Sequence, residues 1–444
     1  MSGDDRSGGA RRRGRAALER LVRASAAERV FISTAALVLS MAVGVVIVLA
    51  AGRMTTCGEA AAVYFGVGFC YDPFAVYDSL FLGALGNPIN PLFRPLEGQF
   101  APPFRRGWSP LNGQMAVTLR ETTILVFTGL SVAVAFRAGI FNIGTQGQLV
   151  VGALATALAA LYASPLVAGL VGTLVLIPFG LLVGALSGGL YGAIPGALKA
   201  YADANEVITT IMLNFVATGV ALYLVAGPFK DPASAANETV SLPGYAIFPP
   251  VVFEPRDDFS VLALLFGVAL VGGVYYLLEH TAFGYDIRTS GIQPEAAEYG
   301  GVDAERTVVS SMAISGALGG LGGAVYVLMI IGNYQTGIPA YGFDGITVSI
   351  LAGNNPLGVG FAAFLFGVLK SGSIVVDVNT GAPPQLVGVL RGLIILFVAM
   401  PEFFRLLGRR VVAIEPERPV ATDGGRPGDG GDDAGAEAGG EVDE

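Results

Sequence analysis

Apolar residues recur along this chain in runs of roughly 20, the length of helix that crosses about 30 Å of hydrocarbon. Ten such runs stand at 31–51, 116–136, 144–164, 167–191, 206–227, 259–279, 308–331, 339–353, 357–377 and 386–407. The eighth is short and contains Asp344, which predicts a broken or tilted helix. Between the first two runs, Phe74, Tyr77, Leu80, Phe81 and Leu85 follow a helical spacing interrupted by Asp78. They predict an amphipathic helix at the outer face or packed on the bundle, and the run is too short for an eleventh span. The expected fold class is all-α, a polytopic membrane helical bundle of about ten transmembrane helices. Runs two to five and seven to ten form two groups of four around run six, an arrangement that suggests a four-helix internal repeat.

Composition agrees with a membrane protein. The 444 residues are 53% hydrophobic and 14% charged, with 63 glycines, whereas soluble domains carry about 25% charged residues. Flanking Arg and Lys set the orientation. With Arg11, Arg12, Arg13, Arg15, Arg20, Arg23 and Arg29 inside, ten crossings also place Arg137, Lys199, the loop 280–307 and Arg405, Arg409 and Arg410 in the cytoplasm. Loops 52–115 and 228–258 then lie outside, although they hold Arg94, Arg105, Arg106 and Arg256. The expected organisation is an Arg-rich cytoplasmic segment (1–30), a membrane domain (31–411) and an acidic tail (412–444). The first segment is too long and polar for a signal peptide and is expected to be retained. The tail has nothing apolar to fold around and is expected to be disordered in the cytoplasm.

Lysine is confined to Lys199, Lys230 and Lys370 while the net charge is −9. Adaptation to high salt explains this, as does a GC-rich genome. No basic patch for nucleic acid is present: the one Arg cluster, 11–15, precedes the first run. Cys57 and Cys70 are too few for a zinc cluster. Both fall in loop 52–115, where a disulfide is permitted; two unlinked small residues fit equally. A single histidine, His280, and the absence of a G-x-x-x-x-G-K-[ST] loop leave no catalytic or nucleotide site.

Three polar clusters interrupt the apolar pattern. In "FRAGIFNIGTQGQ" (136–148), Gly139, Gly144 and Gly147 loosen a helix beside Asn142, Thr145, Gln146 and Gln148. The amides would either satisfy the freed backbone or meet a polar solute, and a tight cytoplasmic turn accounts for them too. In "NEVITTIMLNF" (205–215), Glu206, Thr209 or Thr210, and Asn214 recur on one helix face. Capping explains Asn205 and Glu206, but not Asn214, eight residues deeper. The loop 284–307 contains "GIQPEAAEYGG", in which Pro294 suits the first turn of a short helix and glycine its end. Such a helix would serve as a docking peg; an ordinary connector would be shorter.

Taken in order, these clusters resemble the permease subunit of an ABC importer, in the superfamily for branched-chain amino acids, ribose and nucleosides. "FRAGIFNIGTQGQ" is similar to its Phe-Arg-Ala-Gly, Phe-Asn-Ile-Gly signature, and "PEAAEYGGV" to its coupling-helix segment. "NEVITTIMLNF" and "GFDGITVSILAGNNPLGVGFAAFLFG" (342–367) resemble the nucleoside and simple-sugar branch. The likeness runs over residues 30–407, with Thr145 and Gly301 standing where alanine or another small residue is usual. It implies a non-enzymatic membrane subunit with no cofactor of its own. ATP would be used by a partner ABC ATPase subunit, alongside a second related permease and an extracytoplasmic substrate-binding lipoprotein. Gly291, Pro294, Glu295, Ala296, Ala297, Tyr299 and Gly300 would meet the ATPase. Asn142, Gln146, Gln148, Glu206, Thr210, Asn214 and Asp344 are the candidate substrate pathway. Amides suit ribose hydroxyls and base edges, so nucleosides rank first and simple sugars second. Amino acids rank third, because Glu206 and Asp344 offer only negative charge to a zwitterion. An ion-coupled secondary transporter using Glu206, Asp344 or Lys370 is the rival from another class. A membrane scaffold leaves the amides within the spans without a purpose.

Overall fold

The computed structural model describes residues 26–88 and 108–399. The unit Phe31–Pro401 holds the bundle; the other, Met1–Val30 with Glu402–Glu444, lies outside the described residues except for the start of the first helix. The Arg cluster at 11–15, the acidic tail and the end of the tenth expected span therefore fall outside them.

Helices dominate because helical hydrogen bonding satisfies the backbone without water. In chain order they are α1 (Ala26–Met54), α2 (Pro73–Phe81), α3 (Gly113–Arg137), α4 (Thr145–Ala163), α5 (Gly169–Ala202), α6 (Glu206–Ala226) and α7 (Val261–His280). Then follow α8 (Ala282–Ile292), α9 (Pro294–Tyr299), α10 (Ala304–Val325), α11 (Tyr341–Leu351), α12 (Pro356–Thr380) and α13 (Pro384–Ala399). Among the described residues, eight segments are long and apolar enough to cross a membrane: those of α1, α3 to α7, α10 and α12. Two of the ten expected spans are not among them: the tenth, of which α13 supplies 16 residues before the described residues end, and the eighth. Its helix, α11, has 11 residues and reaches only about 16 Å. It covers half a bilayer.

α3 is the central helix, with 83% of its most apolar window buried, against 22–28% for α1, α5, α6 and α7. Its core neighbours include Phe259 and Leu278 around α7, Met312 and Leu318 on α10, Val348 on α11 and Phe366 on α12. A second close contact joins α5 to α10. Gly180, Gly184, Gly188, Gly192 and Gly196 recur at every fourth position of α5. A Cβ on Gly188 would lie 2.5 Å from the Gly316 carbonyl oxygen and 2.6 Å from the Gly320 Cα. Small residues at this spacing let helix backbones touch, and in lipid that packing replaces the hydrophobic drive.

On the loop side, α2 is the predicted amphipathic helix, packed on the bundle. Asp72 caps it by accepting from the Phe74 N–H, while Val76, Tyr77 and Leu80 bury against Leu369 and Val376 of α12 and Leu386 and Leu390 of α13. Cys57 and Cys70 form a disulfide with Cα atoms 5.8 Å apart, which decides the question the sequence left open. It closes a small hairpin, Ala62–Tyr64 against Val67–Phe69. Phe65 and Gly66 both take positive φ at its turn, the geometry of a tight two-residue hairpin. Tyr64 donates to Asp72 at 2.8 Å. Burial, then that hydrogen bond and the carboxylate charge, push its hydroxyl pKa up to about 12.

Gly320→Leu puts a side chain where the Gly184 carbonyl oxygen lies 2.1 Å from the Cβ position. It is expected to cost about 3 kcal/mol or more and to reduce the monodisperse fraction after detergent extraction. Gly219→Leu, on α6 with nothing within 4 Å of its Cβ position, should extract like the parent.

Candidate functional site

The first polar cluster is a break between two helices. α3 ends at Arg137, Gly139 takes a φ of +73° and α4 begins at Thr145. Helix ends leave backbone groups without partners, and here side-chain amides supply them. The Asn142 Oδ1 accepts from the Gly144 N–H at 2.9 Å. Its Nδ2 donates to the Gln148 Oε1 (3.1 Å) and the Ser315 Oγ (2.8 Å), and the Gln148 Nε2 donates back to the Asn142 Oδ1 at 3.3 Å. Ser315 in turn donates to the Ser131 carbonyl at 2.6 Å, tying α10 to α3. Asn142 and Gln148 are buried, as are Asn214 and Gln146.

Asn214 is the amide that capping left unexplained. From α6 it reaches the break, accepting from the Gly147 N–H at 2.7 Å and donating to the Ile143 carbonyl at 3.0 Å. Thr210, one turn earlier, lies against Gly144 and donates to the Glu206 carbonyl at 2.6 Å. Asn205 caps α6 by accepting from the Val207 and Ile208 N–H groups. Glu206 sits at the start of α6 in an ion pair with Lys199, 3.5 Å away.

A second break lies before α11. The chain leaves α10 through a π-helical turn, Tyr326–Ile331, and passes Gly332 at a φ of +65° before α11 starts. The Gln146 Oε1 accepts from the Gly342 N–H at 2.8 Å, and its Nε2 donates to the Pro339 carbonyl at 3.2 Å. A Cβ on Gly345 would lie 2.7 Å from Thr128 of α3, so α11 begins inside the bundle, beside the middle of α3. One amide thus joins both breaks.

Asp344, in the first turn of α11, is not a lone charge. Lys370 of α12 donates to its Oδ2 at 2.9 Å and stands 3.4 Å from the Glu121 Oε2 on α3. Lys370 also lies 3.9 Å above the Tyr341 ring, while the Tyr341 hydroxyl donates to the Glu121 Oε1 at 3.1 Å. Arg120 is 3.6 Å from that same oxygen. Glu206 and Asp344, read from the sequence as negative charges, each stand beside a lysine, Lys199 and Lys370. Glu121, Arg120 and Tyr341 escaped the sequence reading. The adjacent charges inside an apolar run, "LRETT", were the signal that marks Arg120 and Glu121; no comparable signal marks Tyr341.

The expected short helix is α9, with Pro294 in its first turn and Gly300 at its C-cap. Ala297 is buried, whereas Pro294, Glu295, Ala296, Tyr299 and Gly300 are exposed. Tyr299 stands 95% and Ile292 87% exposed. Gly291 faces inward: its Cβ position is 2.3 Å from the Arg137 carbonyl oxygen, against the first break.

Residues 114–399 match the family described as the branched-chain amino acid transport system permease component. The chain belongs to this permease family. The permease is 30% identical over 356 residues to the nucleoside ABC transporter permease protein NupB of Lactococcus lactis, covering 79% of this chain and 90% of the relative. It is 34% identical over 314 residues to the guanosine ABC transporter permease protein NupP of Bacillus subtilis, covering 68% and 86%. A glucose ABC transporter permease protein of Haloferax volcanii is 32% identical over 306 residues, covering 66% and 79%. No solved structure matches the permease at a significant level. It is therefore a multi-pass membrane transport protein rather than an enzyme.

Asn214→Leu strands the Gly147 N–H and the Ile143 carbonyl, at about 1–3 kcal/mol each, and should lower the thermal unfolding midpoint in detergent. Lys370→Met leaves Glu121 and Asp344 without their shared cation. Losing one partner of a buried ion pair costs about 3–5 kcal/mol, so this variant is expected to fall further, in the same assay, than a substitution on the exposed face of α6.

Proposed function

We propose that the permease forms half of the membrane passage of an ATP-driven importer for nucleosides. The observation that carries this reading is the match to two relatives named for nucleoside and guanosine transport, each over most of both chains. Transport by this family divides the work: the permease supplies the passage, and an ATPase and a substrate-binding protein act with it. A second, related permease completes the passage, which is supported by the paired relatives NupB with NupC and NupP with NupQ. An extracytoplasmic lipoprotein delivers the solute.

In this reading both termini lie in the cytoplasm, and the Cys57–Cys70 hairpin faces the oxidising side, where a disulfide persists. The solute passes the two helix breaks. Asn142, Gln148, Thr210 and Asn214 shape the first, and Gln146 and Asp344 border the second. Glu206 lies where the passage meets the cytoplasm. The loop from Gly291 through Pro294, Glu295, Ala296, Ala297 and Tyr299 to Gly300 docks on the ATPase, its exposed tyrosine and glutamates offering the contact.

A simple sugar is the second reading, favoured by the glucose relative. An ion-coupled mechanism fits poorly, because the intramembrane charges of Asp344, Lys370 and Glu121 are already spent on one another.

Uptake of labelled guanosine, adenosine, ribose and glucose in a strain lacking the gene separates the solutes. Selective loss of nucleoside uptake is expected; loss of sugar uptake alone moves the substrate to the second reading. Glu295→Lys, in the assembled importer, is expected to leave ATP hydrolysis running while guanosine uptake falls, and unchanged coupling would reject this loop as the docking surface.

A further inference from the structure

The α8–α9 loop is linked to the α11–α12 turn through the side chain of Arg137. Arg137, the last residue of α3, donates from its Nε to the Asn354 carbonyl at 3.0 Å. Its Nη1 stands 3.4 Å from the Glu279 Oε1 at the end of α7. The other oxygen of Glu279 is held by Arg288 of α8, so the ion pairs continue into the helix that leads to α9. Below this network the backbones of Gly291 and Arg137–Gly139 are in direct contact, with no room for a side chain on either glycine.

Asn354 is the hinge of the α11–α12 turn. It takes a φ of +56°, its N–H donates to the Ser349 carbonyl at 2.9 Å, and its Oδ1 accepts from the Ser349 Oγ at 3.0 Å. The turn is therefore fastened to the last turn of α11 and moves with it. At its other end, about 16 Å away along an 11-residue helix, α11 carries Gly342 on Gln146 and Asp344 on Lys370.

The structure assigns Arg137 a positioning role in coupling: its forked guanidinium carries displacement of the α8–α9 loop to α11, and through α11 to the helix breaks. The guanidinium suits this because it presents several donors in a fixed plane, so one group holds a carbonyl and a carboxylate together. A lysine, a single point charge, holds one or the other. The inference rests on the proposed docking of the ATPase on the α8–α9 loop.

The test uses the complete importer in proteoliposomes, with labelled guanosine uptake and ATP hydrolysis measured on the same preparation. Arg137→Lys keeps the charge beside Glu279 and so keeps the bundle intact. It is expected to lower guanosine imported per ATP hydrolysed about fivefold or more, with hydrolysis itself near the parent rate. Glu279→Gln cuts the link from the α8 side while leaving the bond to Asn354, and should shift the same ratio in the same direction. A merely structural arginine would lower uptake and hydrolysis together through lost assembly, and that result, or an unchanged ratio in both variants, overturns the assignment. Glu295→Lys tells the two failures apart. If it leaves coupling normal, the docking reading fails and this inference with it. If it uncouples while Arg137→Lys and Glu279→Gln do not, only the role of Arg137 fails.

Discussion

Every interruption of a helix in hydrocarbon frees backbone N–H and C=O groups that water cannot reach, and the architecture of this permease follows from how those groups are satisfied. Two breaks, at 138–144 and at 332–340, are covered by side-chain amides from other helices. Asn214 holds the first from α6, and Gln146 holds the second from α4. Because each amide is committed to backbone partners, its position is part of the fold. A solute moving past these breaks would meet a surface shaped by amides whose hydrogen bonds are already largely used.

Holding amides that close requires helices that approach closely. The α5–α10 contact is made by glycine against glycine, with Gly184, Gly188 and Gly192 facing Gly316 and Gly320. That approach positions Ser315 of α10 against both Asn142 and Ser131. The polar network at the break and the glycine seam therefore support each other: widening the seam by one side chain would draw Ser315 away. α3, buried on nearly every face, is the element against which α10, α11 and α12 all register.

The charged groups lie at two levels of the bundle. Within it, Lys370 bridges carboxylates from α3 and α11 and rests on an aromatic face. At the end of α3, Arg137 bridges α7 and the α11–α12 turn. α11 is the element common to both levels. A half-length helix can be displaced at smaller cost than a full span, since its own backbone covers only part of the bilayer, and this one is fastened at each end by a cation from a neighbouring helix.

The sequence by itself determined the class of protein and most of its elements. Runs of about 20 apolar residues, the Phe74–Leu85 periodicity and the Pro294-to-Gly300 punctuation are local patterns that a membrane and a backbone read without further context. The stretch between Phe136 and Gln148 was legible as a polar interruption, while a loosened helix and a tight turn between two spans both fitted its glycines and amides. What only the tertiary structure decided was partnership. Asn214 meets Gly147 across 67 positions, Tyr341 meets Glu121 across 220, and Arg137 meets Asn354 across 217. Each side chain alone reads as a capping, solute-facing or interfacial group. Which it is depends on a donor or acceptor that the folding of distant helices brings within 3 Å or so, and no local pattern encodes that distance.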